Sequence, residues 1–368
     1  MYIYQQKDWP NFTWNKDKLF QILAEISYRQ GRLLGRMEGL GFLLKSEAVL
    51  QTMTLEILKS NEIEGEFLDP DQVRSSIARR LGMDIAGLVP SDRNVEGVVE
   101  VMIDATKNFK APLTNDRLFG WHAALFPTGR SGMHKIVVGA WRENTPEDSM
   151  QVVSGAMGKE KIHFQAPEAK ALTKEMNFFL VWFNTNNELH AIIKAAIAHL
   201  WFVTLHPFDD GNGRIARTIA DMQLTRADGI PQRFYSMSAQ IRLERKHYYE
   251  VLERTQNHSL DITEWLEWFL ECLDRALIAA EEELAGVINK ARYWEWLITK
   301  TLNERQKTMI NKLLAGFDGK FTTSKWAKIS KCSQDTALRD IQDLIDQGVL
   351  EKEPGGGRST NYRLMEIN

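Results

Sequence analysis

The chain has 368 residues, 43% of them hydrophobic, and a formal net charge of −3. That length predicts two or three domains with sizeable cores, and near-neutrality removes any electrostatic case for nucleic-acid binding by the chain as a whole. Two cysteines, Cys272 and Cys332, exclude a disulfide framework and read as buried thiols. The N-terminus lacks a basic stretch followed by an apolar run, and no segment approaches ~18 consecutive apolar residues, so the expectation is a soluble, cytoplasmic protein with no membrane span.

Residues 1–15 carry Trp9, Phe12 and Trp14 around Pro10, an aromatic clasp against a core. From Lys16 the apolar positions Leu19, Ile22, Leu23 and Ile26 recur at helical spacing. A second helical run from about Ser46 carries Val49, Leu50, Met53, Ile57 and Leu58, and reaches a stop at Gly65. Asp69-Pro70-Asp71 starts another helix, with Pro70 suited to the first turn. The loop-like stretch 82–93 gives a first boundary, followed by helices over 94–108 and 114–124. The β-branched runs Ile136-Val137-Val138 and Val152-Val153, around a long polar turn, read as the two arms of a hairpin or flap.

A helix opens at Ala166-Pro167-Glu168, and 188–205 has a clear amphipathic stripe ending at Leu205. Helices are then expected from the glycines at 211–213 to about Ala227, and over 240–256, 261–285 and 286–302. The tail gives helices at 304–315, 322–329 and 333–347. Gly348–Lys352 and Tyr362-Arg363-Leu364 follow as strands around Gly355-Gly356-Gly357, the outline of a winged helix-turn-helix.

Between two helical patterns lies His206-Pro-Phe-Asp-Asp-Gly-Asn-Gly-Arg-Ile-Ala-Arg217. A helix beginning at its glycines would point the N–H groups of Gly211, Asn212, Gly213 and Arg214 into the loop, at the positive helix end, which makes an anion site. Arg214 and Arg217, three apart, share a helix face and add a cationic clamp. Asp210 offers a hard oxygen ligand for Mg2+, and His206 is the group suited to accept a proton near neutral pH. The stretch from Gly211 also fits G-x-G-x-x-G/A, but a helix precedes it where a dinucleotide fold has a strand, and no P-loop pattern occurs.

This run resembles the signature of the Fic family, H-P-F-x-[DE]-G-N-G-R-x-x-R, at every defined position, and the resemblance extends over roughly 90–285. It implies transfer of AMP from ATP to a Ser, Thr or Tyr hydroxyl of a target protein. His206 would be the base and Asp210 the holder of Mg2+. Asn212 would orient the α-phosphate, Gly211 and Gly213 would form the anion hole, and Arg214 and Arg217 would grip the β- and γ-phosphates. Gly213 stands where the phosphorylating Doc branch has lysine, which favours AMP transfer. Transfer of a cytidine nucleotide or phosphocholine stays open.

The resemblance further implies a target-docking flap over about 136–155, with Val152, Val153, Ser154 and Gly155 nearest the nucleotide. Tyr248 and Tyr249 resemble the pair lining the family's adenine pocket, against simple helix packing as the alternative. Gln256 stands near the usual polar base contact, with Asn257 as the alternative. Ser60-Asn-Glu-Ile-Glu64-Gly65 resembles the inhibitory pattern [ST]-x-x-x-E-[GN]. A carboxylate at Glu64 would pair with Arg217 and remove the γ-phosphate's partner, with Ser60 bonding near the loop. Glu62 is the competing carboxylate, and removal of AMP is a second activity open to Glu64.

The expected architecture is therefore all-α with a small β-hairpin flap and a C-terminal winged helix-turn-helix. The expected divisions are an N-terminal helical domain over 1–85 with its inhibitory helix at about 46–65, a catalytic domain over 86–300, and the winged helix over 301–368. Residues 1–80 resemble a domain of unknown function that precedes Fic cores in bacteria, and the family's habit implies a homodimer. The tail alone suggests the alternative of a DNA-binding regulator. Its third helix, however, carries Asp335, Asp340, Asp343 and Asp346 beside Arg339, which is acidic for a helix that must meet phosphates.

Overall fold

The computed structural model describes the chain except residues 84–86, 146–148, 155–160, 186–187, 315, 318, 354–359 and 367–368. It is dominated by helices, with three two-stranded sheets among the described residues, in agreement with the expected all-α class. Two compact units are present, Met1–Glu283 and Leu284–Asn368. The segments 1–85 and 86–283 thus pack as one unit, and the second begins earlier than the expected residue 301. No helix among the described residues is long and apolar enough to cross a membrane.

In the first unit, α1 (Lys16–Glu38) starts where the Asn15 side chain accepts from the Lys18 N–H. α2 (Phe42–Ile63) begins four residues before the expected Ser46. It stops as expected, because Glu64 caps it and Gly65 follows at φ 84, a conformation open to glycine at no steric cost. α3 (Pro70–Leu81) has Pro70 in its first turn, Asp69 as cap and Gly82 in the left-handed region at its end. α4 (Arg93–Lys107) and α5 (Asn115–Leu125) pack together, and α4 also packs on the helix that follows the His206 loop.

The centre is a helical pair, α7 (Ala191–Leu205) and α8 (Asn212–Asp228), preceded by α6 (Ala169–Asn184). The expected single apolar stripe on 188–205 is corrected: every residue from Ile192 to Leu205 is buried, so α7 is enclosed on all sides. Lys194, His199 and Thr204 on it each find a partner. Lys194 Nζ donates to the Thr185 carbonyl at 2.7 Å, His199 Nε2 meets the Tyr248 hydroxyl at 2.9 Å, and Thr204 accepts from Gln256 at 3.2 Å. Truncating a fully buried member such as Leu200 costs ~2–5 kcal/mol in the general case.

The flap also differs from expectation. Its paired strands are β3 (Gln151–Ser154) and β4 (Lys161–Gln165), antiparallel, with Val152 opposite Phe164. Ile136–Val138 is not a strand; the Val137 N–H is taken by the Asp209 carboxylate at 2.8 Å. A short pair, β1 (Arg130–Ser131) and β2 (His134–Lys135), precedes it. The run 240–256 divides into α9 (Met237–Leu243) and α10 (Arg245–Gln256). The expected break near Gly286 is absent, because α11 (Thr263–Leu297) passes through it.

The second unit holds α12 (Glu304–Leu314), α13 (Thr323–Ile329) and α14 (Gln334–Asp346), then β5 (Leu350–Lys352) antiparallel to β6 (Tyr362–Leu364). Trp326, Ile341, Leu344 and Val349 are in its core. Buried Asp340 is held by Arg305 and Asn303. The glycines 355–357 lie outside the described residues. Asp335, Asp343 and Asp346 sit on the exposed face of α14 beside Arg339.

Candidate active site

α7 ends at Leu205, and His206 takes up φ 49, ψ 56, a left-handed conformation uncommon for a residue with a side chain. His206 Nδ1 lies 3.1 Å from the Val203 carbonyl. A carbonyl only accepts, so the proton of the neutral ring sits on Nδ1 and Nε2 carries the lone pair. Burial lowers the imidazole's proton affinity below its ordinary value. The Val203 carbonyl opposes this and the Arg142 charge adds to it, so the ring is neutral at pH 7.

Arg142, which sequence reasoning missed, is buried and binds the loop from behind. Its Nε donates to the His206 carbonyl at 2.8 Å, its backbone N–H donates to the Pro207 carbonyl at 2.9 Å, and Nη2 reaches the Pro167 carbonyl. Burial draws its guanidinium down to about 10, with Asp209 opposing.

The loop is closed by Asn212, whose Oδ1 accepts from the Phe208 N–H at 2.9 Å while Nδ2 donates to the Phe208 carbonyl at 2.8 Å. Its amide is spent on the loop's own backbone, a different task from the expected contact with an α-phosphate. The Asp210 carboxylate accepts from the Gly211 N–H and from the Ser131 hydroxyl. His122, buried and stacked flat on Phe208 with ring centroids 4.1 Å apart, joins the Asp210 carbonyl to the Gly139 N–H. Burial pushes that imidazole down to about 4, so it serves as a neutral bridge. Ser131 and His122 are isolated in sequence, and no local pattern marks either.

Gly211 has φ 80, and a methyl there would meet the Phe126 ring at 2.8 Å, so both conformation and space require glycine. The first hydrogen bond at the start of α8 is from Ile215 to the Gly211 carbonyl. Among the described residues, the N–H groups of Asn212, Gly213 and Arg214 make no bond within the protein and remain as anion donors at the helix start.

The end of α2 lies over those donors. Arg217, with its side chain 2% exposed, donates from Nε to Ser60 Oγ at 2.9 Å and from Nη2 to the Ser60 carbonyl at 2.8 Å. Its Nη1 is 2.8 Å from Glu64 Oε1 but lacks the alignment of a hydrogen bond, so this contact is mainly Coulombic. Burial works against the Arg217 charge, Glu64 together with Tyr248 and Tyr249 more than offsets it, and the guanidinium stays charged. A methyl at Gly213 would overlap Glu64 Oε1, which places that carboxylate directly on the anion-binding turn. The Tyr249 hydroxyl donates to Glu64 Oε2 at 3.3 Å. Glu62 points elsewhere, to Lys59 at 2.7 Å and Arg242 at 3.6 Å. Glu66, which sequence reasoning passed over, pairs with Arg214 at 2.6 Å.

The expected base-pocket residues divide. Tyr248 is buried among Trp265 and Trp268, with its hydroxyl on His199, which is the packing alternative. Tyr249 stays partly open beside Glu64. Gln256 is buried and holds Thr204, whereas Asn257 donates to the His163 carbonyl of the flap at 3.1 Å. On β3, Val152 is half-buried, Val153 and Ser154 are exposed, and Gly155 lies outside the described residues. Glu253 of α10 tethers the flap through His163 at 2.6 Å and Lys161 at 3.0 Å.

Among the described residues no group of three or more His, Cys, Asp or Glu could by itself hold a metal ion. A single placed carboxylate, Asp210, beside a row of free anion donors fits a cation that takes most of its ligands from bound phosphates and water.

A helical fold that sets a histidine, a carboxylate, a bare helix start and two arginines in one tight loop is the Fic class. Residues 112–224 match the model of the Fic/DOC family, and the chain carries that family's domain. Residues 2–83 match a domain of unknown function (DUF4172). A relative named protein adenylyltransferase Fic from Nematostella vectensis is 27% identical over 270 residues, covering 72% of this chain and 53% of that protein. One of the same name from Drosophila erecta is 32% identical over 273 residues, covering 72% and 50%. The chain thus spans about half the length of these two relatives. Among solved structures, a Fic family protein from Desulfovibrio desulfuricans is 20% identical with a TM-score of 0.51, over 94% of this chain and 97% of that one. A Fic domain containing signaling protein from Bacteroides thetaiotaomicron is 20% identical with a TM-score of 0.52, over 71% and 97%. These two share the fold.

Proposed function

We propose that the chain transfers AMP from ATP to a Ser, Thr or Tyr hydroxyl of a target protein, and of itself, and that Glu64 restrains the reaction. The observation that carries this reading is the Glu64 carboxylate lying on Gly213 and against Arg217, at the start of α8. An anion from within the chain holds the place that a nucleotide's phosphates would take. The relatives named protein adenylyltransferase, and glycine in place of lysine at 213, favour AMP as the transferred group.

In this reading His206 Nε2 takes the proton from the target hydroxyl as its oxygen attacks the α-phosphorus. The bond from the α-phosphorus to the α–β bridging oxygen breaks, and diphosphate leaves. Arg214 and Arg217 hold the β- and γ-phosphates, and the free N–H groups of the first turn of α8 stabilise charge on the phosphates. Arg142 and Asn212 keep the loop shaped, the Val203 carbonyl holds the proton of the neutral ring on Nδ1, and burial keeps Nε2 unprotonated. Mg2+ held by Asp210 would neutralise phosphate charge, with Ser131 orienting the carboxylate. The target backbone docks on the edge of β3 that has no partner strand among those described.

Self-labelling with ATP carrying label on either the α- or the γ-phosphate tests this. Glu64→Gly is expected to incorporate α-label at least about ten-fold above wild type, equivalent to about 1.4 kcal/mol. No γ-label should enter, and adding His206→Ala should abolish incorporation. Incorporation of γ-label, or none of either, sinks the reading.

A further inference from the structure

The brake has a second carboxylate that the inhibitory pattern does not contain. We infer that Glu66 closes Arg214 as Glu64 closes Arg217, so that any ligand with a β-phosphate must displace Glu66 before it can be gripped. This rests on the AMP-transfer reading for the assignment of Arg214 to the β-phosphate.

The geometry is specific. Gly65, at φ 84, turns the chain out of α2, and the Glu66 N–H bonds back to the Asn61 carbonyl at 3.0 Å. Glu66 is thereby tied to the same helix end as Glu64. The two carboxylates leave that turn towards two arginines one helical turn apart, and Glu66 Oε2 reaches Arg214 Nη1 at 2.6 Å. The partners are unequal. The Arg214 side chain is 5% exposed, its guanidinium lies over the Phe126 ring at 4.9 Å, and its Nε is buried without a hydrogen bond. Glu66 is 40% exposed and can swing into water at little cost.

A buried guanidinium with one exchangeable counter-anion at the mouth of an anion loop is what an incoming phosphate can take over. Neutralising Glu66 leaves Arg214 charged and short of a partner, which favours a ligand's β-phosphate. AMP, with a single phosphate, gains nothing from that vacancy. Glu66 is therefore a specificity-determining residue that sets how strongly di- and triphosphates are preferred over monophosphate.

The test is equilibrium binding of ADP and of AMP to the full chain by calorimetry, for wild type, Glu66→Gln and Glu66→Ala. Both variants are expected to bind ADP about five- to ten-fold more tightly while AMP stays within about two-fold. Glu66→Ala, which removes the acceptor as well as the charge, should act at least as strongly as Glu66→Gln. Unchanged ADP affinity overturns the inference, and so does an equal gain for AMP, which would mean general loosening of the loop. The outcome is separable from the transfer chemistry. Absence of α-label incorporation in Glu64→Gly defeats the transferase reading while an ADP-over-AMP split still stands, and the converse result defeats only the role of Glu66.

Discussion

α2 meets α8 along one seam, and the two ends of that seam obey opposite rules. At one end Ser60 and Glu64 hold Arg217; four residues along both helices, running in opposite directions, Glu56 faces Asp221. The first contact pairs opposite charges next to free helix-start donors, where a phosphate can replace the carboxylate. The second brings two carboxyl groups together in the core. Glu56 Oε2 accepts from Ser236 Oγ at 2.7 Å and the Ser238 N–H at 3.0 Å, and Asp221 Oδ1 accepts from Arg233 at 2.8 Å. The remaining oxygens, Glu56 Oε1 and Asp221 Oδ2, are buried with no other donor. A proton on the Asp221 carboxyl gives both oxygens a partner. One end of the seam is built to exchange and the other to stay shut, so the brake can be lifted at Glu64 while α2 remains docked.

The largest test of that contrast is Arg233→Met. Arg233 and Asp221 are both buried, and the Arg233 guanidinium also lies over the Tyr235 ring at 4.3 Å. Removing it strands a buried carboxyl, which generally costs ~3–5 kcal/mol. Chemical denaturation should show a loss of that order, far above the effect of Glu64→Gly on stability. A loss under ~1 kcal/mol would mean that the deep end of the seam is not what keeps α2 in place.

A smaller effect separates the two ends by pH. Burial first, and Glu56 second, push the Asp221 carboxyl well above the ordinary carboxylate range. A carboxyl raised on folding stabilises the protein fully below its unfolded value of ~3.9, and that contribution is lost as pH rises through the folded value. Wild-type stability should therefore fall as pH rises above the unfolded value of ~3.9, and Asp221→Asn, which keeps a hydrogen-bonding group without the titration, should flatten the slope. An identical slope in the variant would remove the Asp221 proton from the account.

What the sequence made legible follows from where the chemistry lies. The loop 206–217 carries its histidine, carboxylate, glycines and arginines within twelve consecutive residues, so local spacing sufficed, and the short pattern around Glu64 needed only one helix turn. His122, Ser131 and Arg142 shape the same loop from 64 or more residues away, through hydrogen bonds that no local periodicity encodes. Ile136–Val138 imitates a strand because β-branched residues suit one, but Val137 gives its N–H to Asp209 and the flap takes its second arm from Ile162–Phe164. α7 imitates a one-sided helix because Lys194 and His199 interrupt its apolar surface, although both are buried with partners. The expected division between helices at 285 and 286 fails because tertiary context carries α11 through Gly286, at a cost of ~1 kcal/mol relative to alanine.

The smallest expected effect is at Glu62, and it sharpens the comparison because Glu62 shares the last turn of α2 with Glu64. Its carboxylate bonds to Lys59, three residues back on the same helix, at 2.7 and 2.9 Å, and lies 3.6 Å from Arg242. These partners are partly exposed, and pairs of this kind are worth ~0–1 kcal/mol. Neither touches the His206 loop. Glu62→Gln should leave stability within about 0.5 kcal/mol and α-label incorporation at the restrained wild-type level. If incorporation instead rises to that of Glu64→Gly, charge anywhere near the end of α2 is enough to restrain the site. Its placement on Gly213 and Arg217 would then not be the cause.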